Sequence, residues 1–198
     1  MQALNREAYL NYITDTYARP HFKAKGYTIP DRVRMSCGQT STKKAIGECW
    51  SSEASEDKHC EIFIAPRLSK SFDVIDTLVH ELCHATVGNK AGHGAIFKKC
   101  ANAVGLEGKM TSAGAGAELK AIIENWIAEA GEYPHATLLS SNRKKQGTRM
   151  LKCVCSHCGY QVYTSKKWIE LAKPTCPDAD CEAFGWDMSV NLTDDSND

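Results

Sequence analysis

Two histidines four residues apart, with a glutamate directly after the first, stand at His80-Glu81-Leu82-Cys83-His84, and another histidine follows nine residues on in Gly92-His93-Gly94. On a helix, residues four apart lie one turn apart on one face, so His80 and His84 present two imidazole nitrogens to a single metal ion. The 3.6-residue repeat puts Glu81 about 100° around the helix from His80 and about 60° from His84. Its carboxylate then stands beside the metal, within reach of a water there, without being a ligand. The glycines flanking His93 let the backbone bring it back to the helix. The chemistry described is hydrolysis at zinc. Three imidazoles hold the ion and leave a fourth position open, and a carboxylate serves as general base.

Such a site needs a rigid carrier. Ser71 is positioned as an N-cap, and Asp73 and Asp76 put negative charge in the first turns, where the helix dipole favours it. Phe72, Ile75, Leu78, Val79, Leu82 and Thr86 recur at three- and four-residue spacing, the mark of a helix packed in a core. Gly88 is the natural stop. The next helix begins near Ala95 and carries Ile96, Phe97, Cys100, Ala103 and Val104. Upstream, Leu4 to Ala18 reads as an amphipathic helix with Tyr9, Leu10, Ile13 and Tyr17 on one face, stopped near Pro20. Arg32 to Cys37 and Cys60 to Ala65 read as strands, and 40–44 and 51–58 as loops. A strand beside the site can pair with an extended substrate. A last helix is expected from about Ala117 to Ala130.

A second metal-binding pattern lies in residues 150–182, which hold half of the ten cysteines. Cys155-Ser156-His157-Cys158-Gly159 is a knuckle, and Cys176 and Cys181 form a second pair, spaced two residues wider than the usual C-x-x-C. Four thiolates make a closed structural zinc site, a zinc ribbon. Cys153 or His157 could replace one of them. Tyr160 to Thr164 alternates like a strand between the knuckles. From Ser140 to Thr175 there are eight basic residues (Arg143, Lys144, Lys145, Arg149, Lys152, Lys166, Lys167, Lys173) against one acid, Glu170, with Tyr160, Tyr163 and Trp168 among them. Cations with exposed aromatics suit phosphates and unstacked bases. Nucleic-acid contacts are therefore assigned to Arg143, Lys144, Lys145, Arg149, Lys166, Lys167 and Trp168. The competing reading is a solubilising linker, with the aromatics filling the small core.

With 198 residues and 42% hydrophobic content, the chain suits one medium domain and a small appendage. The organisation expected is a domain carrying the histidine site at 1–138, a basic linker at 139–149, the ribbon at 150–183 and an acidic, disordered tail at 184–198. Formal net charge is zero, but unevenly spread. No apolar run approaches the roughly 20 residues of a membrane span. No signal peptide is evident, so the thiols, including the scattered Cys37, Cys49, Cys60, Cys83 and Cys100, are read as reduced and the chain as cytoplasmic; a monomer is expected, though nothing in the sequence fixes the oligomeric state.

His80-Glu81-x-x-His84 followed by Gly92-His93-Gly94-x-x-Phe97 resembles the SprT-like metallopeptidases, the Spartan-related group. Gly47-Glu48-Cys49-Trp50 through Glu61-Ile62-Phe63-Ile64-Ala65-Pro66 is similar to the strands that precede the motif helix in phage and actinobacterial members, and Gly105 to Met110 also fits them. The resemblance covers roughly residues 30–182. It implies an α+β, zincin-like domain followed by a zinc ribbon. It also implies a zinc endopeptidase with ligands His80, His84 and His93 and base Glu81, acting on protein substrates associated with DNA in a bacterial or phage-infected cell. Two zinc ions are expected, one catalytic and one structural. The spacing does not fit metzincins. A thermolysin-like ligand set would use Glu107, and a deformylase-like one Cys37, Cys49 or Cys60; His93 is preferred because its glycine flanks and the Phe97 match have no other evident purpose. The second oxyanion donor is unassigned, with His59 and Tyr133 as weak candidates. The alternative function is a nucleic-acid-binding protein whose protease-like domain is inactive.

Overall fold

The structure is a computed structural model that describes residues 5–139, 150–182 and 189–191. The chain divides into two compact units, Met1–Ser140 and Ser141–Asp198. Among the described residues, no helix is long and apolar enough to cross a membrane.

The first unit is built around one helix and one small sheet. The sheet has the order β1-β3-β2, from β1 (Val33–Cys37), β2 (Gly47–Trp50) and β3 (Cys60–Ile64). β1 runs parallel to β3, and β2 antiparallel, with Gly47 opposite Ile64 and Trp50 opposite Glu61. The chain thus crosses from β1 to the far edge before returning through the centre. Strand alternation sends Ile62 and Ile64 into the core and leaves Glu61 and Phe63 on the other face.

α3 (Ser71–Val87) packs against β2, β3, α4 (Ala95–Val104) and α5 (Ala117–Ala130). Val74, Ile75, Leu78, Val79 and Leu82 are fully buried along it. Each such side chain contributes roughly 1.5–3 kcal/mol relative to exposure, which holds the helix against its strands. Gly88 ends α3 with φ 84°, a conformation that favours glycine. Two short strands, β4 (Leu106–Glu107) and β5 (Gly114–Ala115), pair antiparallel, and β5 lies against α3.

Two expectations are corrected. Ser71 is not the N-cap: Lys70 holds that position in extended conformation. Ser71 instead turns its hydroxyl to the segment after α5, where Oγ meets the Glu132 carboxylate and accepts from the Tyr133 amide at 2.8 Å. The N-terminal helix does not stop at Pro20 either. α1 (Arg6–Ile13) passes through a π-helical turn at Thr14–Ala18 into α2 (Arg19–Ala24), with Pro20 in the first turn of α2. In the widened turn the Arg19 amide bonds back to the Thr14 carbonyl. Proline, which has no amide to donate, is tolerated at such a fresh helix start.

The second unit is a three-stranded sheet of order β7-β6-β8, from β6 (Met150–Val154), β7 (Gln161–Ser165) and β8 (Ser189–Asn191). It carries α6 (Lys166–Leu171) and α7 (Ala179–Glu182). Its buried core is Cys153, Cys155, Cys176 and Cys181, flanked by Val162 and Ile169.

Candidate metal centres

α3 brings His80 and His84 to one face, and the loop after Gly88 turns His93 back onto them. Gly92 makes that turn with φ 50°. His93 Nε2 lies 3.3 Å from His80 Nε2 and 3.2 Å from His84 Nε2. Tetrahedral zinc with Zn–N bonds of about 2.0–2.1 Å separates its nitrogens by about 3.3–3.4 Å. His93 therefore stands from each of the other two nitrogens at the spacing of such a site, and all three ligand atoms lie within 4.8 Å of one another.

The rings are held from behind. Phe97 of α4 is fully buried and lies 5.1, 4.2 and 5.0 Å from the centres of His80, His84 and His93, stacked on His84. His80 Nδ1 is 3.2 Å from the Ala113 carbonyl oxygen, an acceptor only, so Nδ1 carries the proton and Nε2 keeps its lone pair for a metal. Burial, with His80 and His93 adding to it, lowers His84 to about 4, and burial lowers His80 as well. Both are neutral near pH 7, the form that ligates.

Glu81 lies beside this cluster, buried beneath the edge strand β2. Burial and the Glu48 carboxylate push its carboxyl up to about 8, a shift that a divalent cation held by the histidines opposes. Gly47 is the reason the strand can approach. A Cβ there would stand 2.7 Å from Glu81 Oε1 and 2.5 Å from Thr77 Cγ2. Asn89, just past α3, donates from its side-chain amide to the Cys49 carbonyl and so ties β2 to the loop that carries His93.

The other donors weighed from the sequence do not join the histidines. Glu107 sits on β4 with its carboxyl over Gly116. Cys49 points its thiol to Asn89, 3.6 Å away. Cys37 lies 3.7 Å from an Arg6 guanidinium nitrogen, and Cys60 opposite Val33. His59 stands 3.2 Å from Asp57 in the 51–59 loop. Tyr133 packs on Tyr9 with its amide on Ser71, at the opposite end of α3 from His84.

In the second unit the sulfurs of Cys155, Cys158, Cys176 and Cys181 lie within 4.8 Å of one another. Cys155–Cys181 is 3.8 Å and Cys158–Cys176 is 3.4 Å. Zn–S bonds of about 2.3 Å in a tetrahedron imply a separation of about 3.8 Å. The amides of Cys158 and His157 donate to the Cys155 sulfur and bring that thiol down to about 6, while burial and the neighbouring thiols push Cys181 up. The two extra residues between Cys176 and Cys181 are taken up by the turn into α7, where the Cys181 amide bonds the Asp178 carbonyl at 3.0 Å. Cys153 is outside the quartet, paired with Val162 across β6 and β7 in the core. His157 places Nδ1 3.0 Å from the Cys181 sulfur, as a neighbour of the quartet.

Of the residues assigned to nucleic acid, Arg143, Lys144, Lys145 and Arg149 lie outside the described residues. Lys166, Lys167 and Trp168 fall on α6, where Trp168 is 58% exposed and Lys167 Nζ lies 5.2 Å from the centre of its ring. Tyr160 and Tyr163 are exposed too, so these three aromatics do not fill the ribbon core.

Gly47, Asn89, Asp76 and the Ala113 carbonyl were not singled out for the site from the sequence. Only Gly47 leaves a signal there, a glycine inside a strand, which marks a close approach. Comparison with known proteins gives one family: the SprT-like family model matches residues 8–115, a span that contains all three histidines and Glu81. No curated protein and no solved structure matches the chain.

Proposed function

The chain belongs to the SprT-like family, and on that premise we propose that it is a zinc endopeptidase in which His80, His84 and His93 hold the ion and Glu81 is the general base. The observation that carries this reading is the approach of His93 Nε2 to within 3.2–3.3 Å of the Nε2 atoms of both His80 and His84, with the buried carboxylate of Glu81 at the next residue of α3. Zinc, when bound there, polarises a water and the peptide carbonyl. The rest falls to the chain. Glu81 accepts the proton of the attacking water and returns it to the leaving amine. Ala113, through its carbonyl, keeps the His80 imidazole in the ligating tautomer. β2, at the sheet edge, offers an extended substrate backbone partners on its outer side.

The four cysteines of the second unit hold a second, structural zinc in this reading. The exposed Tyr160, Tyr163 and Trp168, with Lys166 and Lys167, support a nucleic-acid surface there, so the substrates are proteins on or near DNA. The test is Glu81→Gln, assayed on labelled casein with and without single-stranded and duplex DNA. The variant should keep its zinc and lose cleavage by roughly 10²- to 10⁴-fold. Undiminished proteolysis sinks the mechanism. Wild-type cleavage that ignores DNA sinks the assignment of the second unit to nucleic acid.

A further inference from the structure

Asp76 sits one turn before His80 on α3, on the stripe that continues to His84. It is not one of the clustered donors. Its Oδ1 accepts the Ala115 amide at 2.7 Å, and its carboxylate lies against Gly114, where a Cβ would come within 3.0 Å of Oδ2. One turn further, His80 Nδ1 donates to the Ala113 carbonyl. α3 therefore grips the segment Ala113–Ala115 twice, once through an acceptor and once through a donor.

The spacing explains why both bonds form together. Four helical residues advance about 6.0 Å, and two strand residues about 6.6 Å. The Asp76–His80 interval thus matches the Cα interval from Ala115 to Ala113, and residues two apart in an extended segment turn their backbone groups to the same side, with the segment antiparallel to the helix. A one-residue slip would turn the wrong backbone groups to both side chains. The segment is held besides by its two-residue ladder with β4, by the Gly116 amide on the Gly105 carbonyl at 2.9 Å and by the burial of Ala113. Asp76 makes the shorter of the two grips, 2.7 Å against 3.2 Å.

We propose that Asp76 is a positioning residue of the metal centre, acting through the Ala115 amide to set the Ala113 carbonyl that orients His80. The role rests on the reading of the three histidines as zinc ligands. The Ala113 carbonyl is the partner one step behind the ligand, a kind whose loss typically changes metal affinity by about 10- to 100-fold; Asp76 stands one step further back, so the lower end of that range applies to it. The isosteric amide of asparagine keeps an oxygen to accept from Ala115, so it separates positioning from charge.

The experiment uses the full chain and measures zinc dissociation from each site by competition with a chromophoric chelator, alongside melting of the metal-free protein. The cysteine site serves as the internal reference. Asp76→Ala should weaken the histidine site by about 10-fold and leave the cysteine site unchanged, whereas Asp76→Asn should stay within about threefold of wild type. Gly114→Ala, whose added methyl crowds the Asp76 carboxylate without disturbing an ordinary backbone conformation, should weaken zinc in the same direction and covers the case in which Asp76→Ala does not fold. Wild-type zinc affinity in a folded Asp76→Ala or in Gly114→Ala overturns the inference, as does an Asp76→Asn as weak as Asp76→Ala. A wild-type chain that takes up zinc only at its cysteines overturns the metal-centre reading itself, and the inference with it.

Discussion

Replacing Gly47 by alanine adds one methyl group between the edge strand and the motif helix. That methyl would stand 2.5 Å from Thr77 Cγ2, 2.7 Å from Glu81 Oε1 and 2.9 Å from Glu81 Cγ, where ordinary contact begins at 3.4 Å. Relief therefore takes a displacement of roughly 0.5–0.9 Å. Thr77 yields poorly. It is buried, β-branched and bonded through Oγ1 to the Asp73 carbonyl at 2.7 Å. The α3 backbone is pinned by Leu78 and Leu82. What remains is for the Glu81 carboxylate to swing, or for β2 to lift from the helix. Either moves the base relative to the histidines.

Overpacking of this kind costs about 1–3 kcal/mol, and each kcal/mol lowers the melting temperature by about 2–4 °C in a protein of this size. A misplacement of order 1 Å at the reacting groups costs about 10²-fold in rate. Gly47→Ala should therefore melt several degrees lower, keep zinc at the histidines and cleave labelled casein about 100-fold more slowly. Gly38→Ala is the control. Its Cβ would meet Phe63 Cδ1 at 2.9 Å, on the sheet face away from α3, so it overpacks without touching Glu81. It should lower stability and spare kcat. A folded, zinc-loaded Gly47→Ala that cleaves at the wild-type rate refutes the reasoning, because it means the position of Glu81 is either unchanged or irrelevant.

The remaining predictions concern the second unit and the buried phenol of the first. Cys176→Ser should remove the structural zinc and unfold residues 150–182, seen as loss of one zinc per chain and rapid tryptic cleavage there, since such a site supplies the folding free energy of a small module. Cys153→Ser, outside the quartet, should keep the zinc and cost only about 1–3 kcal/mol for a buried hydroxyl; equal zinc loss in both variants refutes the ligand set. Tyr9 is buried, donates to the Gly131 carbonyl at 2.8 Å and, by burial and the nearby Glu132 carboxylate, has its phenol pushed up to about 12. The folded pKa exceeds the unfolded 10, so this stabilisation is whole below pH 10 and lost as pH rises towards 12. Tyr9→Phe should be less stable by about 1 kcal/mol at pH 7 in urea melts, and should lose less than wild type between pH 10 and 12; parallel curves for the two proteins count against it.

Much of the framework could be read from residue types and periods. The apolar spacing from Phe72 to Thr86 marks the buried face of α3, and alternation marks β1 and β3. The α5 bounds and the Gly88 stop come from the same kind of local signal. Ser71 and Pro20 were misread for a common reason. Each is a strong local cue, cap or breaker, and each was overridden by something non-local or unusual. Ser71 finds partners 61 and 62 residues away, and Pro20 follows a π-turn that no period announces. The ribbon's wider second pair was legible as a departure but not as a solution, because the α7 turn that absorbs it depends on hydrogen bonds within the folded loop.

The site itself divides along the same line. A ligand or base announces itself by type: imidazoles four apart, a carboxylate after the first, a histidine between glycines. The groups that aim those side chains do not. The oxygen that fixes the His80 tautomer is a backbone carbonyl, which every residue possesses, and Ala113 gives no hint of it. The space that lets Glu81 lie under β2 is an absence of atoms, a glycine among fourteen. Asp76 looks like one of the acids that complement a helix dipole, yet it bonds a strand 39 residues away. Seen from α3, the two flanks do different work. β2 at Gly47 lies over Glu81, the proposed base, and the segment Ala113–Ala115 aims His80, a proposed ligand. Perturbing the first should change rate at constant zinc, and perturbing the second should change zinc affinity first. A motif of five residues can thus recur unchanged, while the strands on either side of its helix set where Glu81 and His80 stand in this one.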